Sequence, residues 1–322
     1  MTEKQRIKVN VVQANDESER VRSYCLVSQD GSELPAFTAG AHIDLCLPNG
    51  LVRSYSLTNA QSETHRYVVA VACDRNSRGG SEWIHQNLKV GDSLVISTPR
   101  NNFRLEENAQ HTVLLAGGIG VTPLLSMARQ LNAIGRPWHL YFVARSRNDA
   151  PFTEELLRLS GNGSQGKVEL HFDEGDPARR LNLATVFAAA PSNTHFYCCG
   201  PSSMLASFQE AGKDWPEHTL HLEYFGSDAE PATAGGFEVV LAKTGRTVVV
   251  RPGDSILDTL LDLKINVPFS CMEGVCGECL TRVLDGTPDH RDMYLTESEK
   301  KENKVMMICC SGCKGKSITL DV

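Results

Sequence analysis

Cys271-Met272-Glu273-Gly274-Val275-Cys276-Gly277-Glu278-Cys279 forms a dense cysteine motif near the end of the 322-residue chain, and Cys309 follows it 30 residues later. This Cys-x4-Cys-x2-Cys spacing with a distant fourth cysteine is the plant-type [2Fe–2S] pattern, and it differs from the paired Cys-x2-Cys motifs of a zinc ribbon. Gly274 and Gly277 let the backbone bend past inorganic sulfide and leave amides free to hydrogen-bond to sulfur. The motif predicts an iron–sulfur cluster with Cys271, Cys276, Cys279 and Cys309 as its ligands.

These cysteines could instead form a structural zinc site, remain unrelated buried thiols or belong to a disulfide framework. The specific spacing argues against the first two. Eleven cysteines is an odd number and no secretory leader is apparent, so a reducing, cytoplasmic compartment is expected. Cys310 and Cys313 crowd the fourth ligand, and Cys310 is the alternative to Cys309, which we prefer because residues 305–308 predict a strand ending just before it. The other cysteines lie in apolar runs typical of core strands: Cys25, Cys46, Cys73, Cys198 and Cys199.

Length and composition indicate a globular protein of two or three domains. The hydrophobic fraction is 41% and the net charge is −7, without a basic stripe carrying interleaved aromatic residues. Nucleic acid is therefore not an expected partner. The longest apolar-leaning run, residues 112–128, contains three glycines, a proline and two threonines, which is typical of a loop entering a helix and not of a membrane span.

The distribution of apolar runs divides the chain into three parts. From residue 6 to about 99, short runs separated by turn residues predict a small antiparallel barrel or sandwich. From residue 111, strand-like and helix-like runs alternate, which predicts a parallel sheet covered on both faces. Residues 228–236 have the small, turn-prone composition of a linker, and a hairpin, a capped helix and a closing strand are predicted beyond it. We expect domains at 1–104, 105–227 and 237–322.

A glycine-rich turn in the middle part has the features of a dinucleotide site. Ala116-Gly117-Gly118-Ile119-Gly120-Val121-Thr122-Pro123 follows a predicted strand and opens a helix, where backbone amides can hold a pyrophosphate. Cys199-Gly200-Pro201 ends a second strand of the same sheet, so both turns can flank one crevice at its carboxyl edge. Asp173 could bind a ribose hydroxyl and disfavour a 2′-phosphate. It could equally well be a solvated turn acid in Asp-Glu-Gly-Asp-Pro.

Two segments of the first part suggest a mononucleotide site. Arg53-Ser54-Tyr55-Ser56 lies on a predicted strand, so Arg53 and Tyr55 share one face, where an aromatic ring could pack on a flavin and a guanidinium could hold phosphate. Taken alone, this tetrapeptide would be a half-buried strand with a solvated arginine. The second segment, Arg78-Gly79-Gly80-Ser81, opens a helix and offers amides and a hydroxyl to an anion. Together the two segments favour a mononucleotide site.

With these segments in place, the chain resembles the family of phthalate dioxygenase reductase and the reductase component of vanillate O-demethylase, the single-chain reductases of Rieske-type aromatic oxygenases. The resemblance extends from about Ile7 to Val322, and the order of the motifs matches as well as their content. The matching motifs are Arg53-Ser54-Tyr55-Ser56-Leu57, Gly79-Gly80-Ser81, Ala116-Gly117-Gly118-Ile119-Gly120-Val121-Thr122-Pro123, Cys199-Gly200-Pro201, Glu223-Tyr224-Phe225-Gly226, the four cluster cysteines and Asp289-His290-Arg291-Asp292.

The resemblance implies a multidomain fold with three cofactors. FMN is expected in an antiparallel β-barrel, NADH in an α/β parallel-sheet domain, and the [2Fe–2S] cluster in an α+β, β-grasp ferredoxin domain. The implied FMN contacts are Arg53, Ser54, Tyr55, Ser56, Val71, Ala72, Gly79, Gly80, Ser81, Thr122 and Phe225. The implied NAD contacts are Gly117, Gly118, Ile119, Gly120, Pro123, Arg145, Asp173, Cys199, Gly200 and Pro201. Some relatives carry Lys-Arg where this chain has Ala72-Cys73, so less positive charge is available to the FMN phosphate.

The implied activity is electron transfer. NADH gives up two electrons as a hydride and a [2Fe–2S] cluster takes one at a time, while a flavin between them can do both. No acid–base residue is expected in catalysis; Thr122 is expected near the reactive edge of the flavin, and Phe225 against its ring on the far side of the nicotinamide cleft. Electrons then pass to a separate Rieske-type aromatic dioxygenase or O-demethylase. We expect the reductase to be a monomer.

Two alternative functions stay open from the sequence. The chain could reduce a non-Rieske monooxygenase such as a cytochrome P450, or it could be a redox-sensing flavin and iron–sulfur protein. It contains neither Rieske ligand spacing nor a 2-His-1-carboxylate constellation, so it is not expected to oxidise an organic substrate itself. Asp289-His290-Arg291-Asp292 either contacts the cluster or a partner, or forms a salt-bridged turn.

Overall fold

The computed structural model describes residues 6–74, 79–161, 163–226 and 230–322, which form two compact units. The first unit is Met1–Glu223 and the second is Tyr224–Val322. No helix in these described ranges is long and apolar enough to cross a membrane.

The first sheet of the first unit is an antiparallel barrel, as the pattern of short strands predicts. Its strands follow the order β4-β3-β6-β1-β2-β5, and an isolated bridge between Leu57 and Val69 connects the end of β4 to β5 and closes the sheet. Register shifts in β1 mark bulges that let this long strand curve. The elements are β1 Arg6–Ser18, β2 Val21–Ser28, β3 His42–Cys46, β4 Val52–Ser56, β5 Tyr67–Ala72, α1 Gly80–Asn87 and β6 Ser93–Ser97.

The second sheet of the first unit is parallel throughout, in the order β11-β10-β7-β8-β9. Tyr197 of β10 packs in the core with α2 and α3, whereas its neighbour Phe196 stacks on Phe187 of α4. Adjacent side chains of a strand point to opposite faces, so helices cover both faces of this sheet, as predicted. The elements are β7 His111–Gly117, α2 Val121–Ala133, β8 Trp138–Ala144, α3 Thr153–Leu159, β9 Gly166–Phe172, α4 Leu183–Ala189, β10 Thr194–Cys199, α5 Ser202–Gly212 and β11 Leu220–Glu223.

The barrel and the parallel sheet share one core and form a single unit. Phe103 and Ala70 pack with apolar residues of β7, β8 and α2. Polar contacts join the same surfaces: the Ser126 hydroxyl donates to the Asn59 carbonyl at 2.9 Å, and the Glu106 amide donates to the Tyr197 hydroxyl at 2.7 Å. These contacts explain why the chain divides after Glu223 and not between the two sheets.

The second unit is a mixed sheet covered by one capped helix, the β-grasp arrangement that the resemblance implies. β12 pairs antiparallel with β13 and parallel with β18, and β14 pairs antiparallel with β18 and β16. Ser255 begins α6 with a capping box to Asp258. The elements are β12 Phe237–Leu241, β13 Arg246–Val250, α6 Ile256–Asp262, β14 Leu280–Asp285, β15 Pro288–Asp289, α7 Glu297–Glu302, β16 Val305–Met307, β17 Gly312–Cys313 and β18 Ser317–Leu320.

Part of the predicted linker packs on this second unit. The Ala232 amide donates to the Cys310 carbonyl at 2.7 Å, and the Gly236 amide donates to the Val250 carbonyl at 2.9 Å. Ser227, Asp228 and Ala229 lie outside the described residues. The small side chains of residues 230–236 therefore let this part of the predicted linker pack closely against the second unit.

Candidate cofactor sites

The cysteine loop connects α6 to β14 and is coiled by three residues with positive φ. These are Met272 at 59°, Gly274 at 72° and Gly277 at 76°. The coil turns backbone amides inward, and the Glu273 amide donates to the Cys271 sulfur at 3.3 Å. Cys309 approaches the loop from the end of β16, in agreement with the strand predicted before it.

Neighbouring side chains crowd both glycines of this loop. A Cβ atom on Gly274 would lie 2.4 Å from the Cys310 sulfur and 3.1 Å from Asp292, and one on Gly277 would lie 2.3 Å from the Tyr294 ring. Positive φ favours glycine at both positions, and the close approach of Cys310 and Asp292 adds a packing requirement at Gly274, in addition to the bend inferred from the sequence.

The four predicted ligands form two pairs of interacting thiols. A hydrogen bond joins Cys271 to Cys276, which lowers the pKa of Cys271 and raises that of Cys276. A second hydrogen bond joins Cys279 to Cys309. Among the described residues, no three His, Cys, Asp or Glu side chains converge as the ligands of a single metal ion. Two thiol pairs fit two iron atoms better than one zinc ion, so this donor set suits a [2Fe–2S] cluster.

Asp289-His290-Arg291-Asp292 lies beside this loop and combines both predicted roles. Arg291 and Asp289 form an exposed ion pair at 2.9 Å, which is the salt-bridged turn. Asp292 is buried against Gly274, and its carboxylate accepts the Leu295 amide at 2.8 Å. His290 Nδ1 lies 3.6 Å from the Asp292 carboxylate. The segment therefore supports the cluster loop from one side.

The two glycine-containing turns of the parallel sheet meet at its carboxyl edge. A Cβ atom on Gly120 would lie 2.2 Å from the Cys199 carbonyl oxygen, and one on Gly117 would lie 2.6 Å from Pro201 Cδ. Because β7 and β10 are neighbouring strands, the two turns lie side by side at the carboxyl edge of the sheet, as the sequence predicts. Thr122 is buried there, and its hydroxyl donates to the Ile119 carbonyl at 2.9 Å.

Asp173 and Arg145 lie together at the same edge of the sheet. The Glu174 amide, next to Asp173, donates to the Arg145 carbonyl at 2.8 Å, so the ends of β8 and β9 are joined. One Asp173 carboxylate oxygen accepts the Gly175 amide at 2.9 Å, which is the hydrogen bond expected of a turn acid. The ribose contact stays a prediction.

Two elements bring the predicted flavin phosphate residues together. A Cβ atom on Gly80 would lie 2.6 Å from Arg53 Nε, so the Arg53 side chain crosses the start of α1. Gly79 precedes the helix with a φ of 84°, and the Ser81 hydroxyl accepts the Asp74 amide at 3.3 Å. Arg78 lies outside the described residues. This arrangement places a guanidinium beside a helix N-terminus, which suits a phosphate.

The remaining predicted flavin residues have mixed surroundings. Tyr55 is half-buried, and burial raises the pKa of its hydroxyl. Ser54 faces the opposite way and donates to Asp44 at 2.8 Å, which in turn is paired with Arg100. Ser56 is buried, and Val71 and Ala72 end β5. Phe225 belongs to the second unit, and its side chain is 41% exposed. The next residue after it, Gly226, lies beside Glu273 of the cysteine loop.

Glu223 is a half-buried residue with a buried carboxyl oxygen, and the sequence assigns it no individual role. It ends β11, directly opposite Cys199 of β10. Its Oε2 atom is buried with no hydrogen-bond partner among the described residues, and burial raises its pKa to about 8. At neutral pH the folded chain therefore holds a protonated carboxyl next to the glycine crevice. Its signals in the sequence are an acid at a strand end and its place at the start of the Glu223-Tyr224-Phe225-Gly226 motif.

Replacing Glu223 with glutamine is expected to remove a pH-dependent loss of stability. An unfolded glutamate has a pKa near 4.5, so between about pH 5 and pH 8 the folded chain keeps a proton that the unfolded chain releases. The contribution of Glu223 to the free energy of unfolding therefore falls as pH rises through this range and levels off above it. Urea unfolding followed by fluorescence reports this unit, because all three tryptophans lie within it.

Glu223→Gln should raise the urea midpoint near pH 8 and change it little near pH 5. Glu210→Gln, at a side chain 75% exposed in the same unit, is the control and should show no such trend. An equal effect of Glu223→Gln at both pH values would contradict the assignment.

Comparison with known proteins identifies the domains in which two of these sites lie. A model of the 2Fe-2S iron-sulfur cluster binding domain matches residues 239–314, and a model of the oxidoreductase NAD-binding domain matches residues 114–210. The phenoxybenzoate dioxygenase subunit beta of Ectopseudomonas oleovorans is 49% identical over 92% of this chain and 90% of its own. The phthalate dioxygenase reductase of Burkholderia cepacia is 39% identical over 93% of this chain and 92% of its own. The chain belongs to the phthalate dioxygenase reductase family.

Solved structures extend this similarity to three dimensions. Phthalate dioxygenase reductase superposes with a TM-score of 0.79 and 36% identity, covering 98% of both chains. An intact type IV self-sufficient cytochrome P450 monooxygenase contains a similar part, with a TM-score of 0.81 and 37% identity over 98% of this chain and 41% of the other. The predicted family and three-part fold are therefore confirmed.

As a member of the phthalate dioxygenase reductase family, the chain is an oxidoreductase that uses NADH, FMN and a [2Fe–2S] cluster. When bound, these groups convert a hydride into single electrons. The chain itself contributes two glycine-containing turns in close contact at the carboxyl edge of the parallel sheet, a guanidinium beside a helix N-terminus and a loop that carries three thiols. Its catalytic contribution is therefore to bind and orient.

Proposed function

We propose that this chain is the reductase component of a Rieske-type aromatic dioxygenase or O-demethylase. On this proposal it takes a hydride from NADH onto FMN and delivers single electrons through the cluster to a separate oxygenase. The observation that carries the proposal is similarity along nearly the full chain to oxygenase reductase subunits. The eleven cysteines, all of which lie in the described ranges, form no disulfide bond, which supports a reducing cytoplasmic location. A monomer suffices for the proposed transfer.

We assign the cofactors to three segments, 1–104 for FMN, 105–227 for NADH and 237–322 for the cluster, with 228–236 between the last two. Cys271, Cys276, Cys279 and Cys309 are the proposed cluster ligands, because Cys271 pairs with Cys276 within the coiled loop and Cys279 pairs with Cys309, which follows β16. The proposed FMN contacts are Arg53, Ser54, Tyr55, Ser56, Val71, Ala72, Gly79, Gly80, Ser81, Thr122 and Phe225. The proposed NADH contacts are Gly117, Gly118, Ile119, Gly120, Pro123, Arg145, Asp173, Cys199, Gly200 and Pro201.

An anaerobic NADH titration of the purified protein tests the order of electron transfer. We expect the flavin and cluster absorption bands to bleach in turn, a rhombic paramagnetic resonance signal from the reduced cluster, and FMN in the extract. NADH-driven reduction of cytochrome c should follow, which a redox sensor need not perform. Stoichiometric FAD, or zinc in place of iron, would contradict the cofactor assignment.

A partner test separates the Rieske and P450 alternatives. The reductase and NADH are mixed with the oxygenase component of the phenoxybenzoate dioxygenase and, in parallel, with the haem domain of a type IV self-sufficient P450 freed of its own reductase. The structural match to part of that P450 is the reason for testing this second candidate. Product formed from phenoxybenzoate supports the Rieske proposal. If the reductase supports turnover by the haem domain and not by the phenoxybenzoate oxygenase, the Rieske proposal is overturned in favour of the P450 function.

A further inference from the structure

Cys310 is a fifth thiol in the cluster-binding part of the second unit. Its side chain is buried, with the residue 3% exposed, directly after the proposed ligand Cys309. Both residues lie in a tight turn whose Cys310 and Ser311 amides donate to the Met307 carbonyl at 3.4 Å and 3.0 Å. The Ala232 amide holds the Cys310 carbonyl at 2.7 Å. The turn thus presents two consecutive thiols to the interior.

The Cys310 sulfur points at the cysteine loop itself. It lies where a Gly274 side chain would begin, 2.4 Å from the position of a Cβ atom there, and Gly274 lies between Cys271 and Cys276. The Cys309 thiol is hydrogen-bonded to both Cys279 and Cys310. The Cys310 sulfur also has two weak polar contacts, with the Met307 carbonyl and the Ser311 hydroxyl, each at 3.9 Å. The Cys310 thiol is therefore in direct contact with the thiol of the proposed ligand Cys309.

Cys313 shows that closeness in sequence alone does not create this arrangement. Its sulfur accepts the Gly315 amide and donates to the Ser317 carbonyl, both at 3.3 Å. These bonds hold it in the turn between β17 and β18, at a part-exposed position. It is therefore the matched control cysteine, close in sequence but held by its own turn.

We propose that Cys310 is a reserve ligand that binds the cluster iron in place of Cys309 when the Cys309 thiolate is absent or modified. This rests on the proposed function, in which Cys309 is the resting ligand. In the exchange, the Cys310 thiol releases its proton to water and its sulfur donates an electron pair to the iron that Cys309 would have held. No electron is gained or lost.

Alanine variants of the full chain test this proposal, because a serine oxygen could itself bind iron. Iron and acid-labile sulfide per chain are measured for the native protein, Cys309→Ala, Cys310→Ala, Cys313→Ala and Cys309→Ala/Cys310→Ala. The dithionite-reduced proteins are then compared by paramagnetic resonance. We expect Cys309→Ala to keep a [2Fe–2S] cluster with shifted g-values, and the double variant to lose it. Cys310→Ala and Cys313→Ala should keep the native content of iron and acid-labile sulfide, and Cys313→Ala should also match the native spectrum.

Each of the remaining outcomes is decisive as well. An iron-free Cys309→Ala whose circular dichroism matches that of the native apoprotein would overturn the reserve role. Loss of iron in Cys310→Ala alone would make Cys310 the resting ligand and overturn the proposal too. A native protein without iron would instead contradict the proposed function. If Cys309→Ala is insoluble, anaerobic refolding with iron and sulfide, beside the double variant, provides the same comparison.

Discussion

Gly274→Ala is expected to leave the protein with little bound iron while FMN in the first unit is retained. The new methyl group would lie 2.4 Å from the buried Cys310 sulfur and 3.1 Å from the Asp292 Cα atom. The positive φ of 72° costs a non-glycine residue about 1–2 kcal/mol, and overpacking a buried site adds about 1–3 kcal/mol. Because Asp292 contributes backbone, the loop itself must move, which separates Cys271 from Cys276.

Gly277→Ala is the matched control in the same loop. Its φ is 76°, so the backbone cost is the same, but the atom it meets belongs to the ring of Tyr294. That side chain is 42% exposed and can rotate outward. Iron content and the visible circular dichroism of the cluster should therefore be nearly native in Gly277→Ala.

A second variant isolates the cause of the Gly274 effect. Adding Cys310→Ala to Gly274→Ala removes the closest contact and should restore part of the iron, while the contact with Asp292 persists. Equal iron contents in Gly274→Ala and Gly277→Ala would show that positive φ alone, and not crowding from residues 292–310, decides whether the loop forms.

The sequence predicts the strands and helices of this chain well because hydrophobic period and turn residues are local signals. The capped helix after Ser255 and the glycine turn before Thr122 are recognisable from such signals. The cysteine loop is recognisable for another reason, since cluster geometry imposes its spacing. In each case the information lies within about ten residues.

Features that depend on distant contacts are not visible in the sequence. The shared core of the barrel and the parallel sheet arises from residues such as Phe103 and Leu124, far apart in the chain, so a domain boundary between the sheets looks natural in the sequence. Helix α7 has no buried residue, and therefore no apolar stripe to reveal it. Its capping box at Thr296 and Glu299 is the signal that could have revealed it.

The site residues divide in the same way. Arg53 and Gly80 are suggestive separately, but only the fold shows that the arginine side chain crosses the helix start. The burial of Glu223 depends on its position opposite Cys199 in the sheet. Cys310 is a further case. In the sequence it is an alternative to Cys309 as the fourth ligand, because the two residues are adjacent. Only the fold shows that its sulfur lies against Gly274 of the cysteine loop.

Gly120→Ala is expected to abolish measurable NADH binding and to destabilise the first unit. The residue has a φ of −62°, a conformation in which alanine normally stabilises a chain by about 0.4–1 kcal/mol. Here the added Cβ atom would lie 2.2 Å from the Cys199 carbonyl oxygen and 2.5 Å from its carbon. Both are backbone atoms of a central strand, so they cannot rotate away. The turn must shift, and a cost at the upper end of the usual overpacking range of about 1–3 kcal/mol is expected.

Gly118→Ala, two residues away, separates crowding from backbone strain. Its φ of 53° costs alanine about 1–2 kcal/mol, but no described atom lies within 4 Å of the new Cβ position. Urea unfolding and NADH binding measured on FMN-loaded protein should therefore show a modest loss of stability in Gly118→Ala with NADH binding retained. In Gly120→Ala, NADH binding should be lost and the loss of stability should be larger, because there the two turns that form the crevice are forced apart. If instead Gly118→Ala proves the more damaging, the crevice depends on left-handed backbone at residue 118, and the contact between Gly120 and Cys199 is incidental to binding.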